Sequence, residues 1–578
     1  MLIQRIVCVL CLFVSAVTLL GQDSAVAEQK LKIERRAKLI ERIQADVEQL
    51  KLPENRALIN SKIGAAIWET DKNAAKALFR AAMAELIAAQ QYAESNKSPN
   101  NPYHDLIQSQ SLRPQIINAI AGTDAEYALE QLYKSRPAAV ERAMAGDRQT
   151  AKFGSPAVEQ AHLAQSEINL EQRLMKMVAD QKPERALAAL KESLRKRLSG
   201  ETLGLLQKLY GHDPTTASEL SNDVLDRLNR EKFFTEAQAN HELINLSNSI
   251  LAEFARERGP EEKYLRFDEP RVRMLAVKVI ETYLNNSQRI GYIPFEQLEP
   301  AVKRFAPGAI EQLKKLSIGL RGYGHHAATL DPEYKKLMES NPSPDLIVSE
   351  AKKYPIDIRR SMYMDAANKF SESGEYQNAM ALLKDHFEGE ALSNAVSSMA
   401  WGQVHQLIQK GQFDAAESVI LEFNENNRVS ALISLAHTIY GADQEQNKAR
   451  AIATVNRARA MIPGRPENNN ELSQLFNVIN AMATIEPSEA FREFEPLIDD
   501  INRVIEASAI VNAFQGGNLR QGEYVLSGGF SFGVYVDPNV LRSLAKNDYE
   551  RTETLINMFS KPEVRIMLKI FVAEGGLM

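Results

Sequence analysis

The amino-acid sequence predicts an all-α protein, a right-handed α-solenoid of antiparallel helix hairpins with one short β-hairpin near the C-terminus. Two observations predict the helical repeat: one helix–turn–helix phrase recurs along the chain, and its apolar residues keep the spacing of one helix face. A third observation, a late glycine-rich stretch in which apolar and polar residues alternate, predicts the hairpin. The 578 residues exceed what one compact core holds, which suits a repeat array.

The first 27 residues have the layout of a secretory signal peptide. Arg5 supplies a positive charge, an apolar run extends from Ile6 to Leu20, and Ala25-Val26-Ala27 fits a cleavage site of small residues. The run is too short to span a bilayer comfortably, and no later run is long enough. We therefore expect cleavage after Ala27, export to the periplasm or the extracellular space, and no transmembrane segment in the mature chain.

Composition narrows the function classes. The net charge is −6 with both signs interspersed, whereas a dedicated nucleic-acid binder is usually basic. Cys8 and Cys11 are the only cysteines, and both lie in the predicted signal peptide. The predicted mature chain therefore has no disulfide framework, no thiol nucleophile and no cysteine ligand for a metal.

One phrase recurs along the chain and predicts helix–turn–helix junctions. The copies are "TDKNAAKAL" at 70–78, "TDAEYALEQ" at 123–131, "HDPTTASEL" at 212–220 and "IEPSEAFRE" at 485–493. In each copy an acid precedes an alanine by four residues: Asp71 and Ala75, Asp124 and Ala128, Asp213 and Ala217, Glu486 and Ala490. Apolar residues stand four and eight positions before each acid, on one helix face. A fifth copy, "DQKPERALAAL", has Lys182 in the acid position.

The acid in this phrase suits the start of a helix. Its carboxylate can accept hydrogen bonds from the free N–H groups there, and its charge suits the positive end of the helix. Pro214 and Pro487 follow two of the acids, where a helix needs no N–H group. The alanine one turn later lets two helices approach closely. We therefore expect the acids to cap helices of a stacked repeat rather than to form a row of functional carboxylates.

Two later stretches repeat more closely. "MYMDAANKFSESGEYQNAMALLKDHF" begins at Met362 and "MAWGQVHQLIQKGQFDAAESVILEF" begins at Met399. Gly374 and Gly411 are 37 residues apart, as are Ala379 and Ala416. Each stretch resembles a tetratricopeptide-type helical hairpin, with these residues at that family's spaced positions. The resemblance extends over residues 360–500 and implies a scaffold that binds proteins or peptides and has no catalytic residues.

The stretches depart from that family in two respects. His386 and Phe423 occupy the place of the closing alanine, and the 37-residue period exceeds the family's usual one. The predicted segments are the signal peptide 1–27, N-terminal helical repeats 28–155, a central helical region 156–340, and tetratricopeptide-like repeats 341–578 that include the hairpin. No stretch has the composition of a flexible linker, so we expect one continuous helical body.

The predicted β-hairpin is "GEYVLSGGFSFGVYV", residues 522–536. Apolar and polar residues alternate there, and Gly528-Gly529 can form a tight turn between two arms. One interpretation is a small hairpin that covers the end of the helix stack. The other is an aromatic contact surface for a partner, because aromatic residues are good interface anchors. The partner contacts would be Tyr524, Phe530, Phe532 and Tyr535.

The chain shows no convincing catalytic, cofactor or metal motif, and we assign no such residues. "HELIN" at 241–245 begins like a zinc-protease motif, but Asn245 replaces the second histidine. "GYGHH" at 322–326 places two histidines on a glycine-rich turn, with no acidic partner closer than Asp331. No phosphate-binding glycine loop and no nucleophile elbow occur.

These observations favour an exported helical-repeat scaffold that binds a protein or peptide partner without catalysis or cofactors. An all-α periplasmic enzyme acting on a polymer or small molecule is an alternative, and it would need a carboxylate pair in a helical cleft. A structural envelope protein without a specific ligand is the third reading.

Overall fold

The structure is a computed structural model, and the residues it describes are 29–95, 104–145, 156–234, 239–256, 264–290, 292–320, 332–421, 423, 425–515, 519–526 and 535–576. Helices dominate this part of the chain, and a two-stranded antiparallel sheet is the only sheet in it. The predicted fold class, all-α with a short β-hairpin near the C-terminus, is confirmed. The predicted signal peptide lies outside the described residues.

In chain order the helices are α1 (29–47), α2 (Pro53–Ile67), α3 (Lys72–Ser95), α4 (His104–Ala121), α5 (Ala125–Lys134), α6 (Ala138–Ala145), α7 (Pro156–Val178), α8 (Pro183–Lys196), α9 (Thr202–Tyr210), α10 (Pro214–Arg230), α11 (His241–Ala255), α12 (Glu269–Ile290), α13 (Phe295–Phe305), α14 (Ile310–Leu320), α15 (Pro332–Glu339), α16 (Pro344–Ala351), α17 (Ile356–Glu372), α18 (Tyr376–His386), α19 (Gly389–Gln409), α20 (Phe413–Leu421), α21 (Glu425–Ala442), α22 (Gln444–Ala460), α23 (Asn469–Ile485), α24 (Pro487–Phe494), α25 (Leu497–Gln515), α26 (Pro538–Asn547), α27 (Tyr549–Asn557) and α28 (Pro562–Phe571). The strands are β1 (Leu519–Arg520) and β2 (Glu523–Tyr524). A 3₁₀ turn covers Pro307–Ala309, and a π-helical turn covers Val572–Gly576.

The helices pack in two units. The first unit contains the described residues up to Ile120 and those from Gln403 onward, and the second runs from Ala121 to Gly402. The first unit therefore joins the two ends of the chain. Its elements in contact include α2 with α3, α2 with α28, α21 with α22 and α23 with α26. In the second unit α7 contacts α5, α6, α8 and α9, and α12 contacts α10, α11, α13 and α14.

The recurrent phrase forms helix–turn–helix junctions, as predicted. The residues in the acid position share one backbone conformation, with φ and ψ of −141° and 88° at Asp124, −134° and 87° at Asp213, −140° and 70° at Lys182, and −144° and 83° at Glu486. Asp213 shows why. Its N–H donates to Leu209 O at 2.9 Å, and its carbonyl accepts from Ala217 N at 3.1 Å. One residue therefore ends the first helix and begins the second.

Three of the predicted acids cap the helix that follows. Asp71 accepts from Ala74 N at 2.9 Å, Asp124 from Tyr127 N at 3.0 Å, and Asp213 from Thr216 N at 3.0 Å. The backbone hydrogen bond from Thr216 stabilises the charged carboxylate and lowers the pKa of Asp213.

The capping prediction is wrong for Glu486. Its carboxylate accepts from Ser488 Oγ at 2.6 Å and pairs with Lys448 Nζ at 2.9 Å, and it forms no cap. The longer glutamate side chain reaches past the first N–H groups to these side chains instead. The alanines one turn into the second helices are fully buried, as close helix packing requires: Ala75, Ala128, Ala186, Ala217 and Ala490.

The two tetratricopeptide-like stretches fold as helix pairs with matching turns. Gly374 and Gly411 have φ of 82° and 69°, in the left-handed region that glycine adopts without strain. Glu375 N donates to Phe370 O at 2.7 Å, and Gln412 N donates to Leu407 O at 2.8 Å. Both turns thus close their helices with the same six-residue capping pattern, 37 residues apart. His386, in the place of the usual alanine, stacks on Tyr363 with ring centroids 3.8 Å apart.

Among the described residues, no helix has both the length and the apolar character needed to cross a bilayer. The three predicted segments 28–155, 156–340 and 341–578 stay a prediction from the sequence.

Candidate functional site

The described β-hairpin covers residues 519–524 and overlaps the start of the predicted hairpin 522–536. β1 pairs with β2 in antiparallel register, Leu519 opposite Tyr524 and Arg520 opposite Glu523. The turn residues Gln521 and Gly522 have φ of 53° and 80°, the signs that a two-residue turn of type I′ requires. Gly522 is therefore a turn residue, whereas the prediction placed it at the start of an arm. The predicted turn at Gly528-Gly529 lies outside the described residues.

The four predicted partner contacts fall in different places. Tyr524 is fully buried, and its hydroxyl donates to Ile505 O on α25 at 2.8 Å. Burial raises the pKa of this tyrosine. Tyr535 is 52% exposed. Phe530 and Phe532 lie outside the described residues. Because Tyr524 belongs to the core, the predicted contact surface depends on the other aromatic residues.

Glu523 holds the hairpin to the start of α2. Its carboxylate accepts from Lys51 N at 2.6 Å, from Leu52 N at 3.4 Å and from Asn55 Nδ2 at 2.5 Å. Leu52 is the residue before α2, and its side chain has no polar atom that could cap the helix. Glu523 therefore caps α2 from 471 residues away in the sequence.

Asn55 fastens the second strand from the other side. Its Nδ2 also donates to Tyr524 O at 2.6 Å, and its Oδ1 accepts from Leu526 N at 2.7 Å. Tyr524 N in turn donates to Glu563 on α28 at 3.0 Å. Ser560 and Glu563 have the spacing of a capping box, but the helix begins after Lys561, which provides no side-chain cap. Glu563 serves the hairpin instead.

The hairpin cluster, defined as Glu54, Asn55, Arg520, Glu523, Tyr524 and Glu563, contains three buried carboxylates. Burial raises the pKa of Glu563, and the nearby charge of Glu523 adds to the increase, while the bond from Tyr524 N opposes it. Arg520 pairs with Glu54, whose side chain is buried, while the side chain of Arg520 is 17% exposed. Glu54 Oε2 and Arg520 Nε make no hydrogen bond, so one contact joins the pair. The cluster therefore holds the hairpin to α2 and α28, because the carboxylates of Glu523 and Glu563 accept hydrogen bonds from backbone N–H groups.

A second buried carboxylate pair lies in the second unit. Arg136 donates to Glu167 at 2.7 Å and to Glu171 at 2.6 Å, and all three side chains are nearly inaccessible to solvent. The guanidinium group also lies over the Tyr133 ring, 5.2 Å from its centroid. Burial raises the pKa of Tyr133, and the negative charge of Glu171 adds to that increase. Because one arginine binds both carboxylates, this pair also holds helices together.

Of the two histidine motifs considered for metal chemistry, the structure describes the one at 241–245. His241 is the first residue of α11, which Asn240 caps by accepting from Leu243 N at 3.4 Å. Glu242 accepts from Gly200 N at 3.0 Å. The "GYGHH" stretch lies outside the described residues. In the part of the chain that the structure covers, no group of three or more His, Cys, Asp and Glu side chains could hold a metal ion.

Helix α25 has an apolar surface that the sequence analysis missed. Ile498, Ile501 and Ile505 form its buried face. On the other side Ile510 is 72% and Val511 is 53% exposed, and Val504, two turns before Val511, is also exposed. The helix is thus apolar on two faces and uses one of them in the core. A signal was present in "INRVIEASAIVNAF", residues 501–514, where the apolar positions are too many for a single buried stripe.

Comparison with known proteins identifies no family for this chain. No family model matches the chain, and no curated protein matches it. Among solved structures, a chain described as a "circular tandem repeat protein with novel repeat topology and enhanced subunit contact surfaces" is similar at 13% sequence identity. The match covers 90% of this chain and 98% of the other, with a TM-score of 0.17. That score is too low to support an argument, and the helical-repeat class rests on the hairpins described above.

Proposed function

We propose that this protein is an exported helical-repeat scaffold that binds a protein or peptide partner and performs no catalysis. The observation that carries the proposal is the outer face of α25, defined as Val504, Ala507, Ile510 and Val511. Single exposed apolar residues are common on protein surfaces, but a contiguous apolar stripe on a rigid helix is typical of an interface. Of the four aromatic residues predicted as partner contacts, Tyr535 is described with an exposed side chain.

The energetics of this face suit a partner with an apolar ridge. Burying an exposed isoleucine or valine side chain contributes about 1.5–3 kcal/mol, so two or three such residues can anchor an interface. The face sits on a helix whose other side is fixed in the core by Ile498, Ile501 and Ile505. A rigid helix loses little conformational entropy on binding, which favours affinity.

The buried carboxylates support the scaffold over the enzyme alternative. An all-α hydrolytic enzyme needs a carboxylate pair that a substrate can reach. Glu523 and Glu563 bind backbone N–H groups in the core, and Glu167 and Glu171 bind Arg136. Each carboxylate pair is therefore engaged in contacts that hold the fold together.

A crosslinking pull-down from the protein's own envelope extract tests the proposal, with residues 28–578 as bait. Deleting the hairpin would remove the core residues Glu523 and Tyr524, so point variants are the better probes. We expect a stoichiometric partner with the unsubstituted chain, and its loss with the double variant Ile510→Glu and Val511→Glu. Leu346→Glu, at an exposed apolar residue of α16, is the matched control and should keep the partner.

The same pull-down can refute the proposal. If a folded, monodisperse bait recovers no stoichiometric partner, the scaffold function is wrong and turnover screens become the next step. If the partner survives the α25 double variant but is lost with Tyr535→Ala, the contact lies at the aromatic segment instead. Export is tested separately by N-terminal sequencing of the protein from fractionated cells. We expect the mature chain to begin at Glu28 in the envelope or secreted fraction.

A further inference from the structure

The outer face of α12, in the second unit, carries an unusual set of exposed side chains. Met274 is 62% and Val277 is 39% exposed, and Arg273 beside them is also exposed. Residues three and four positions apart are neighbours on a helix, so these side chains form one continuous patch. The opposite face is anchored in the core by Val272, Leu275, Ala276 and Val279. The patch therefore stands on a fixed support.

Two aromatic rings extend the patch onto α11 and α13. Phe254 and Phe305 lie with their ring centroids 5.8 Å apart. The guanidinium carbon of Arg304 is 5.0 Å from the Phe254 centroid and 5.5 Å from that of Phe305. Arg273 lies over Phe305 from α12, at 5.6 Å. Stacking on the rings holds both guanidinium groups in place, which reduces the entropy they lose when a partner binds.

The charges of this surface are incompletely paired. Arg304 donates to Glu269 at 2.9 Å, Lys303 pairs with Glu299 at 2.9 Å, and Arg271 pairs with Asp226 at 2.8 Å. Arg273 makes no ion pair or hydrogen bond with any described residue. Glu281, exposed on the same side of α12 one turn after Val277, likewise makes none. The patch thus has a free cation at one end, a free carboxylate at the other, and Met274 and Val277 between them.

The two free charges have a defined spacing. Eight residues separate Arg273 from Glu281, a rise of about 12 Å along the helix. A partner helix that lies along α12 would match them with an acid and a base also eight positions apart, and with apolar side chains between. Arg, Met and Phe are enriched at the centres of protein interfaces, which agrees with this composition.

We infer that the α12 patch, defined as Arg273, Met274, Val277, Glu281, Phe305 and Arg304, docks an amphipathic helix of a partner protein. This inference rests on the proposed scaffold function and adds the chemistry of the ligand. The partner's acid pairs with Arg273, its base pairs with Glu281, and its apolar side chains cover Met274 and Val277. An anionic lipid surface would satisfy Arg273 but would repel Glu281, so a helix with both charges fits better.

Synthetic helical peptides test the inference directly. Three labelled peptides share a central apolar stripe and differ only at two positions that are eight residues apart. The first peptide has Glu and Lys at these positions, the second has Lys at both, and the third has Glu at both. Binding to the full mature chain is measured by fluorescence anisotropy. We expect the Glu/Lys peptide to bind best. Arg273→Glu should weaken its binding about tenfold or more, and the two-Lys peptide should become the preferred ligand of that variant.

Further variants separate charge from packing. Met274→Asp should weaken all three peptides, because the apolar contact is common to them. Arg273→Lys should keep the preference for the Glu/Lys peptide with reduced affinity, since the charge stays and the planar stacking on Phe305 is lost. Arg195→Glu on α8, at an exposed arginine paired with Glu192, is the matched control and should leave the binding unchanged.

Several outcomes would overturn the inference. If the three peptides bind equally, or if Arg273→Glu leaves binding unchanged, then Arg273 and Glu281 do not pair with charges of the partner. Binding to vesicles of phosphatidylglycerol that Arg273→Glu abolishes, without any peptide preference, assigns the patch to lipid. A self-association of the unsubstituted chain that Arg273→Glu disperses assigns it to a second copy. The envelope pull-down distinguishes the two proposals: a partner recovered equally by Arg273→Glu keeps the scaffold function and rejects the α12 patch.

Discussion

Replacing Glu523 by alanine should destabilise the first unit strongly and selectively. The substitution removes the acceptor for Lys51 N, Leu52 N and Asn55 Nδ2 at the start of α2. Leu52 cannot provide a substitute cap, because its side chain has no polar atom. The N–H groups at this end of α2 would then lose their acceptor.

The magnitude follows from the donors that remain buried. Leaving a buried donor without a partner costs about 1–3 kcal/mol. Asn55 keeps its bond to Tyr524 O, and Lys51 is exposed enough for water to reach its N–H, so the full cost applies chiefly to Leu52. Removing a carboxylate near Glu563 offsets part of the loss. We expect Glu523→Ala to lower the free energy of unfolding by about 1–3 kcal/mol, and Glu523→Gln, which keeps one acceptor oxygen, by about 0.5–1.5 kcal/mol.

Trp68 provides an assay specific to this region. It packs against Phe79 with ring centroids 6.1 Å apart, at the contact between α2 and α3. The only other tryptophan is Trp401, so Trp401→Phe in every protein leaves Trp68 as the single reporter. Urea unfolding followed by its fluorescence gives the free energy of the first unit. Glu550→Ala is the matched control, because Glu550 also joins the two chain ends, through Arg35, but with a side chain that is 66% exposed.

The control defines the result that would refute the reasoning. An exposed ion pair contributes about 0–1 kcal/mol, so Glu550→Ala should change little. If Glu523→Ala costs no more than Glu550→Ala, then Glu523 does not cap α2 in solution. If Glu523→Gln costs as much as Glu523→Ala, the charge rather than the hydrogen bonds stabilises the joint.

Three further predictions test other parts of the fold. Gly64→Ala should destabilise the first unit by about 1–3 kcal/mol despite alanine's higher helix propensity, because the new Cβ would lie 2.6 Å from the Phe79 ring; a raised melting temperature would contradict this. Ala217→Leu should cost about 1–3 kcal/mol by overpacking a fully buried junction, whereas Ala507→Leu on the exposed face of α25 should be neutral in the same thermal unfolding experiment. Burial raises the folded-state pKa of Glu563 above its ordinary 4.5. The protonated Glu563 therefore contributes its full stability below pH 4.5, and this contribution is lost as the pH rises through the folded-state pKa. Glu563→Gln should flatten that part of the curve of stability against pH, and an unchanged curve would assign the slope to other groups.

The features that local sequence determines were predictable. Capping acids, buried alanines one turn later and glycines with positive φ act within a few residues, so a single sequence displays them. Two further junctions, at Asp443 and Asp548, were missed because Asn447 and Thr552 stand where the other copies have alanine. Asp548 has φ of −148° and ψ of 95°, and it caps the next helix by accepting from Arg551 N at 3.0 Å.

The hairpin cluster was not predictable, because its partners lie far apart in the sequence. Nothing near Asn55 indicates that its side chain will bind Tyr524 and Leu526. The glycine pair at 528–529 is a stronger hairpin signal than Gln521-Gly522, so the strands at 519–524 were not predicted. Glu563 has the sequence context of a local capping box, but a neighbouring backbone N–H competes for its carboxylate.

The remote cap on α2 has a consequence for how the chain is completed during synthesis. The start of α2 is synthesised early, yet the carboxylate that caps it belongs to Glu523. About nine-tenths of this sequence has been synthesised when Glu523 is added. Until Glu523 is made, the N–H groups of Lys51 and Leu52 lack the acceptor that they have in the folded chain. We therefore expect chains truncated before residue 519 to unfold more readily at the start of α2 than chains that contain Glu523.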